Sequence, residues 1–416
     1  GARTPHHGPD KVSWLLSYPD TYEIGLPNQG LQILYEILDE NPHAVAERAY
    51  APWSDLEELL RAESIPLFSL DSHRPAGAFD VIGFNLSAEL TYTNLLNMVD
   101  LAGVPVRSAH RRPEHPLIVA GGHCTYNPEP IADFLDLVVL GDGEEVVTEI
   151  NAVVLDWKRS GRTDGSRERV LRELSHIEGV YVPSMYEVTY EGPDLRAITP
   201  RYPDVPDRVE KRTVADLADF PYPKTQLVPI TEVVHDRLNV EVFRGCTRGC
   251  RFCQAGMITR PVRERPAEQV RTMVEDGLRR TGYDEVALTS LSTADYSGIE
   301  HLVGDIVRST DQGPPVSVSL PSLRVDAFGV GIATQIQRAR RTGLTFAPEA
   351  GTWRMRQVIN KLIREEDLYS AVEAAYVNGW RRVKLYFLTG LPTETDEDTL
   401  GIAELARNCV QLGRTH

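Results

Sequence analysis

Apolar residues in this chain follow two alternating rhythms. The short runs VSWLLSY from Val12, FDVIGFN from Phe79, PLIVAGG from Pro116 and LDLVVLG from Leu135 have few polar interruptions. They read as strands buried on both faces, the pattern of a parallel sheet with helical cover. Between them lie segments of helical period. LQILYEILDE sets Leu31, Leu34, Tyr35 and Leu38 on one face, and DLEELLRAE and TYTNLLNMVDLAG continue the pattern. The last of these ends in a glycine, where a C-cap belongs. Residues 1–150 are therefore expected to form a doubly wound, Rossmann-like or flavodoxin-like α/β domain.

The rhythm breaks over residues 151–235. KRSGRTDGSRER reads as an exposed loop or helix start, GVYVPSMYEVTYEGPDLRAITPRY as a β-hairpin, and the proline-rich stretch to Pro229 as a wrapping connector. Alternation then resumes. NVEVFRG, DEVALTS, PVSVSLP, GLTFAP and RRVKLYFLTG read as strands, with helices such as PAEQVRTMVEDGLRRTG and EEDLYSAVEAAYVNG between them. Residues 236–416 are expected to be a parallel sheet curving into a partial (β/α) barrel. No sixth strand follows TLGIAELARNCVQLG, so the barrel is expected to be truncated at its C-terminus.

Composition changes this picture little. The net charge of −16 comes from 44 basic and 60 acidic residues, so the overall field does not hold the chain on a polyanion. Locally, Arg244, Arg248, Arg251, Arg260, Arg263 and Arg265 face a single acid, Glu264. That run is either a basic surface suited to an anionic substrate such as RNA, or a set of solvated arginines and structural ion pairs. No apolar run approaches a membrane span, and GARTPHHGPDK lacks the apolar core of a signal peptide. Five cysteines, mostly clustered, do not form a disulfide framework, which points to the reducing cytoplasm.

Three of those cysteines stand in RGCTRGCRFCQAG as Cys246, Cys250 and Cys253, directly after a strand. Loops after strands form the working face of a (β/α) barrel. Gly245, Gly249 and Gly256 let such a loop fold around a small inorganic core, and the neighbouring arginines favour thiolates. A structural zinc site needs four closed ligands, so zinc would call on His235, Cys124 or another distant group. A [4Fe–4S] cluster held by three cysteines instead leaves one iron open, which creates a substrate position.

CTRGCRFC, with aromatic Phe252 before the last cysteine, resembles the signature of the radical S-adenosylmethionine (radical SAM) superfamily. The resemblance implies that Cys246, Cys250 and Cys253 hold a [4Fe–4S] cluster whose open iron binds S-adenosylmethionine. It implies cleavage to a 5′-deoxyadenosyl radical, with electrons from a reductant protein such as a flavodoxin or ferredoxin. It also suggests S-adenosylmethionine contacts at Phe252, at Ser290 and Ser292 in TSLSTADY, at Glu349 in APEAG, and at Gly390 and Pro392 in TGLPTET. The two serines replace the glycine-glycine-glutamate often found at their place.

GGHCTYNPEP and LDLVVLGDGEE resemble the cobalamin-binding-like domain that precedes the barrel in some members. That marks the loops at Gly121, Gly122, Gly141, Gly143 and Glu144 as candidate cobalamin loops. Together with VFRGCTRGCRFCQAGMITRPVRER and FAPEAGTWRMRQVINK, they resemble an uncharacterised bacterial family joining both domains. DSHRPAG is one residue too long for a cobalamin-ligating DxHxxG motif, and His73 reads as a surface histidine.

The implied function is a radical SAM enzyme performing cobalamin-assisted methylation, or other C–H functionalisation, of RNA, protein or a small molecule. Two alternatives stay open. One is a non-catalytic iron–sulfur sensor or scaffold. The other is a methylthiotransferase-like enzyme, which usually carries a second cluster for which no second cysteine triad exists here.

Overall fold

A computed structural model describes residues 5–163, 165–310, 316–321, 325 and 344–415. The chain divides into two compact units. The first comprises residues 1–215 and 225–236, the second residues 216–224 and 237–416.

The first unit is built on a six-stranded sheet. Its strands are β1 (Val12–Tyr18), β2 (Ala44–Tyr50), β3 (Val81–Asn85), β4 (Leu117–Gly121), β5 (Leu137–Val139) and β6 (Val180–Tyr181). They lie in the order β2-β1-β3-β4-β5-β6, with β6 alone antiparallel. This is the flavodoxin-like order, and the chain reverses its direction of winding between β1 and β3. Leu15, Ile82, Ile118 and Val138 are almost wholly buried, as uninterrupted apolar strands require.

Two features depart from the sequence expectation. AVAERAY forms β2 although Glu47 and Arg48 interrupt its apolar run. Both are buried and satisfied by distant groups. Glu47 accepts from Ser72 at 2.9 Å and pairs with His7 at 2.5 Å, while Arg48 pairs with Asp71 at 2.7 Å. The second concerns the boundary at residue 150. Helix Val146–Arg159 runs through it, burying Val154, Leu155 and Trp157, and Asn151 accepts from Trp14 of β1 at 2.9 Å. VY of the expected hairpin joins the sheet as β6. The hairpin itself is β7 (Tyr186–Glu191) with β8 (Asp194–Pro200).

Helix Val146–Arg159 is also tied to the sheet through Asp80, a buried carboxylate that receives Lys158 Nζ and the backbone N–H of Ser13 and pairs with Arg162. Burial alone would raise its pKa; the hydrogen bonds from Lys158 and Ser13 and the charge of Arg162 outweigh this and lower it. A depressed folded-state pKa stabilises above the unfolded value and is lost as pH falls through the folded value. Unfolding midpoints in urea are therefore expected to drop below about pH 4, near the unperturbed Asp value. Asp80→Asn should be less stable at neutral pH and show a flatter acid limb; an unchanged acid limb would remove Asp80 from the account.

In the second unit, β9 (Leu238–Glu241), β12 (Glu285–Thr289) and β13 (Ser317–Ser319) form a parallel sheet in the order β13-β12-β9. β14 (Leu344–Glu349) and β15 (Val383–Phe387) form a parallel pair. Val240, Leu288, Val318 and Phe346 share one core with Val270 and Val274 of helix Ala267–Thr281 and with Leu368 and Val372 of helix Glu365–Val377. These are the five strands expected from the sequence. Helix Asp396–Thr415 closes the described chain, and Gly351 meets it so closely that a Cβ would lie 2.3 Å from the Asp398 carbonyl oxygen.

Candidate functional site

The cysteine loop begins where β9 ends. The backbone N–H of Val242 still donates to Thr289 of β12 at 3.0 Å. The chain then leaves the sheet as β10 (Phe243–Arg244), which pairs antiparallel with β11 (Arg263–Glu264). Residues 245–262 are thus a loop pinched at its base, on the C-terminal side of the first barrel strand. Gly245 has φ +98°, and a Cβ there would lie 2.5 Å from the carbonyl oxygen of Pro261. Only glycine fits that turn.

Cys246, Cys250 and Cys253 are all half-buried on this loop. The backbone N–H of Gly256 donates to Cys253 Sγ at 3.3 Å. A Cβ on Gly256 would lie 3.5 Å from that sulfur and 4.0 Å from Cys246 Cβ, so both cysteines border the space this glycine leaves free. The donor set fits an iron–sulfur cluster held at three corners, with an N–H aimed at one sulfur. Among the described residues, no three His, Cys, Asp or Glu side chains converge on a single metal ion. A cluster binds each thiolate through a different iron and needs no such convergence.

The surrounding arginines brace the loop. Arg244 pairs with Glu241 at 3.0 Å and Arg248 with Asp295. Arg251, Arg260 and Arg263 donate to the backbone carbonyls of Val358, Cys246 and Pro261, at 2.5, 3.2 and 3.2 Å. Arg265 is buried and donates to Leu217 O. Structural pairing thus accounts for Arg244 and Arg248, while Arg251 and Arg260 stay exposed and donate to backbone carbonyls.

The other residues marked from the resemblance sit at the C-terminal ends of barrel strands. Phe252 is exposed beside Cys253. After β12, Ser290 shares a hydrogen bond with Thr293 at 3.0 Å, and buried Ser292 donates to Asp295 at 2.6 Å. Ser292 thereby supports the carboxylate that pairs with Arg248. Glu349 ends β14 with φ +69° and pairs with Lys361 at 3.0 Å. After β15, Gly390 has φ +77° and its N–H donates to Glu394 at 2.5 Å, while Pro392 is exposed.

In the first unit, the loops at Gly121, Gly122, Gly141, Gly143 and Glu144 do lie at the C-terminal ends of β4 and β5. Several of their close approaches, however, are to the protein itself. A Cβ on Gly122 would lie 2.6 Å from Leu86 O, and one on Gly143 3.1 Å from Leu34 Cδ2. Gly141 is tighter still, at 2.0 Å from Arg212 O. Gly121 has only Val139 Cβ near it, at 3.9 Å, and Glu144 is buried. These glycines serve the turns, and a ligand is not needed to explain Gly122, Gly141 or Gly143. His73 is exposed, as expected, in a segment beside β2.

Sequence reasoning assigned no role to Asn360 and Lys361, which reach the cysteine loop from residues more than a hundred positions away. Asn360 Nδ2 donates to Gly249 O at 2.9 Å, and Lys361 Nζ lies 6.0 Å from the Phe252 ring centroid. The run FAPEAGTWRMRQVINK carried both residues, but without a signal of what they touch.

Comparison with known proteins agrees with this geometry. Residues 240–406, which contain the cysteine loop and the barrel strands, match the family model described as Radical SAM superfamily. Residues 30–183 match the one described as Radical SAM proteins, N-terminal. The chain belongs to the radical SAM superfamily. An uncharacterised protein of Methanocaldococcus jannaschii is 30% identical over 347 residues, covering 83% of this chain and 66% of that one. The radical SAM fold is shared with the methyltransferase TsrM of Kitasatospora setae, solved with cobalamin and a [4Fe–4S] cluster bound, at TM-score 0.63 and 13% identity. That match covers 96% of this chain and 73% of TsrM. It is shared also with OxsB, a cobalamin-dependent enzyme solved with aqua-cobalamin and S-adenosylmethionine, at TM-score 0.61 and 13% identity. There 95% of this chain matches 52% of OxsB, so the chain spans only part of these relatives. Among the described residues, no helix is long and apolar enough to cross a membrane.

Proposed function

We propose that this radical SAM enzyme binds a [4Fe–4S] cluster through Cys246, Cys250 and Cys253 and cleaves S-adenosylmethionine, in the service of a cobalamin-assisted methylation or other C–H functionalisation. The observation that carries this reading is the pinched, glycine-turned cysteine loop at the C-terminal end of the first barrel strand. A cluster bound there supplies the electron, received from an external reductant protein, that splits S-adenosylmethionine into methionine and a 5′-deoxyadenosyl radical able to take hydrogen from a substrate.

The protein's own part is placement. The Gly256 N–H steadies Cys253 Sγ, Arg260 holds the Cys246 carbonyl, and the β10–β11 pair fixes the two ends of the loop. Phe252, Glu349, Gly390 and Pro392 lie on the face where S-adenosylmethionine would bind. Ser290 lies there too, while Ser292 acts through Asp295.

Cobalamin is supported by the first unit's sheet order and by its apolar surface. Ile24 and Leu90, in the loops after β1 and β3, are 45% and 90% exposed at the point where winding reverses. Ile230 is 96% exposed and its N–H meets Tyr22 Oη at 3.3 Å. In open parallel sheets ligands bind beyond the C-terminal strand ends where winding reverses, and exposed apolar side chains there suit a large flat ligand. The cobalamin-bound relatives agree with this.

The test is anaerobic reconstitution with iron and sulfide, then reduction with S-adenosylmethionine present, with and without hydroxocobalamin. 5′-Deoxyadenosine is the expected product, and hydroxocobalamin should co-elute with the protein on gel filtration, equally for His73→Ala. A cluster that assembles but never yields deoxyadenosine, even with cobalamin added, would favour the sensor instead. Retention of zinc in place of iron would end the proposal.

A further inference from the structure

Residues 349–361 put a charge pair beside the cysteine loop. Thr352 caps helix Trp353–Val358 by accepting from the Met355 N–H at 3.3 Å. The helix ends in a tight turn in which Asn360 has φ +54° and the Lys361 N–H donates to Arg356 O at 2.8 Å. This turn is latched onto the cysteine loop twice. Ile359 O accepts from the Arg251 N–H at 2.9 Å, and Asn360 donates to Gly249 O at 2.9 Å. The turn that carries Lys361 is therefore fastened to the cysteine loop by one backbone contact and by the Asn360 side chain, independently of the Lys361 side chain.

The side chain of Lys361 lies between two groups. On one side is the Glu349 carboxylate at 3.0 Å, with 13% and 14% of the two side chains exposed. On the other is the Phe252 ring at 6.0 Å, next to Cys253 in sequence. Glu349 sits in the left-handed region at φ +69°, beside a register shift between β14 and β15. A non-glycine residue in that conformation is strained, and such strain collects where side-chain placement matters. A largely buried cation on a turn fastened to the cysteine loop is poorly screened by solvent, so its charge would bear on the electron affinity of a cluster held there.

We propose that Lys361 is a positioning residue whose positive charge favours the reduced state of the cluster, and that Glu349 moderates this charge by pairing with it. The proposal rests on the cluster reading above. Adding one electron makes the cluster more negative; a neighbouring cation stabilises that state and a neighbouring carboxylate opposes it. The two members of the pair therefore act with opposite sign.

The test is an anaerobic titration of the reconstituted full chain with dithionite as electron donor and no S-adenosylmethionine, followed by electron paramagnetic resonance. Lys361→Met is expected to shift the midpoint potential downward, Glu349→Gln to shift it upward, and Lys361→Arg to stay near the wild-type value, all at wild-type iron content. Loop damage alone would move both neutral variants in the same direction and lower their iron content, which would overturn the proposal. Unchanged potentials in fully loaded Lys361→Met and Glu349→Gln would overturn it too, while leaving the cluster reading intact. Failure of the wild-type chain to take up iron and sulfide would overturn both together.

Discussion

Alanine at Cys246, Cys250 or Cys253 is expected to abolish retention of iron and sulfide and to lower 5′-deoxyadenosine formation by more than about a hundredfold. Loss of a supporting group around a metal already costs about 10–100-fold, and loss of a direct ligand exceeds that. Cys124→Ala and Cys409→Ala are the matched controls. Both of those thiols are buried, and burial pushes them up to about 11, so they stay protonated and unsuited to ligation at neutral pH. Iron content after desalting, with the absorbance of the reconstituted protein, separates the two groups. Iron retained at wild-type level in any of the three loop variants would remove that cysteine from the ligand set.

Gly141→Ala should be among the most destabilising single changes in the first unit. At φ +105° the backbone already disfavours a side chain, and the new Cβ would meet the Arg212 carbonyl oxygen at 2.0 Å. That carbonyl also accepts the Asp142 N–H at 3.0 Å, and the Arg212 N–H donates to Leu140 O at 2.8 Å, so it has little room to retreat. Urea unfolding is expected to show a loss of more than about 3 kcal/mol, in the range of clash and strain at a special backbone position. Gly161→Ala isolates the conformational part. Its φ is +82°, but nothing lies within 4 Å, so a cost of about 1–2 kcal/mol is expected. Equal losses in the two variants would mean that the close approach to Arg212 costs nothing.

The same contact shows where the sequence was legible. Strands without charged residues, such as β1 and β4, and helices with a clean apolar stripe could be read directly. The cysteine triad could be read because its ligands are neighbours in sequence. β2 could not, since the groups that satisfy Glu47 and Arg48 come from His7, Ser69, Asp71 and Ser72. Nor did the glycines of GDGEE reveal that their partners are Arg212 and Leu34, far away in sequence. The arginines around the cysteines looked the same whether free or paired. Their use was decided by Glu241, Asp295 and backbone carbonyls, which the local composition does not announce. Asn360 and Lys361 escaped notice for the same reason.

The pinch formed by β10 and β11 bears on when the proposed cluster would assemble. Bringing the ends of a flexible loop together costs entropy that grows with loop length. Here the Phe243–Glu264 and Arg244–Arg263 pairs close the loop at its base, and Asn360 and Arg251 tie it down near its middle. The polypeptide itself thus bears part of the ordering cost, which the binding of the proposed cluster would otherwise have to meet. On the proposed reading, such a loop is ordered before its cluster assembles, and a chain that has lost the cluster is expected to take it up again without refolding.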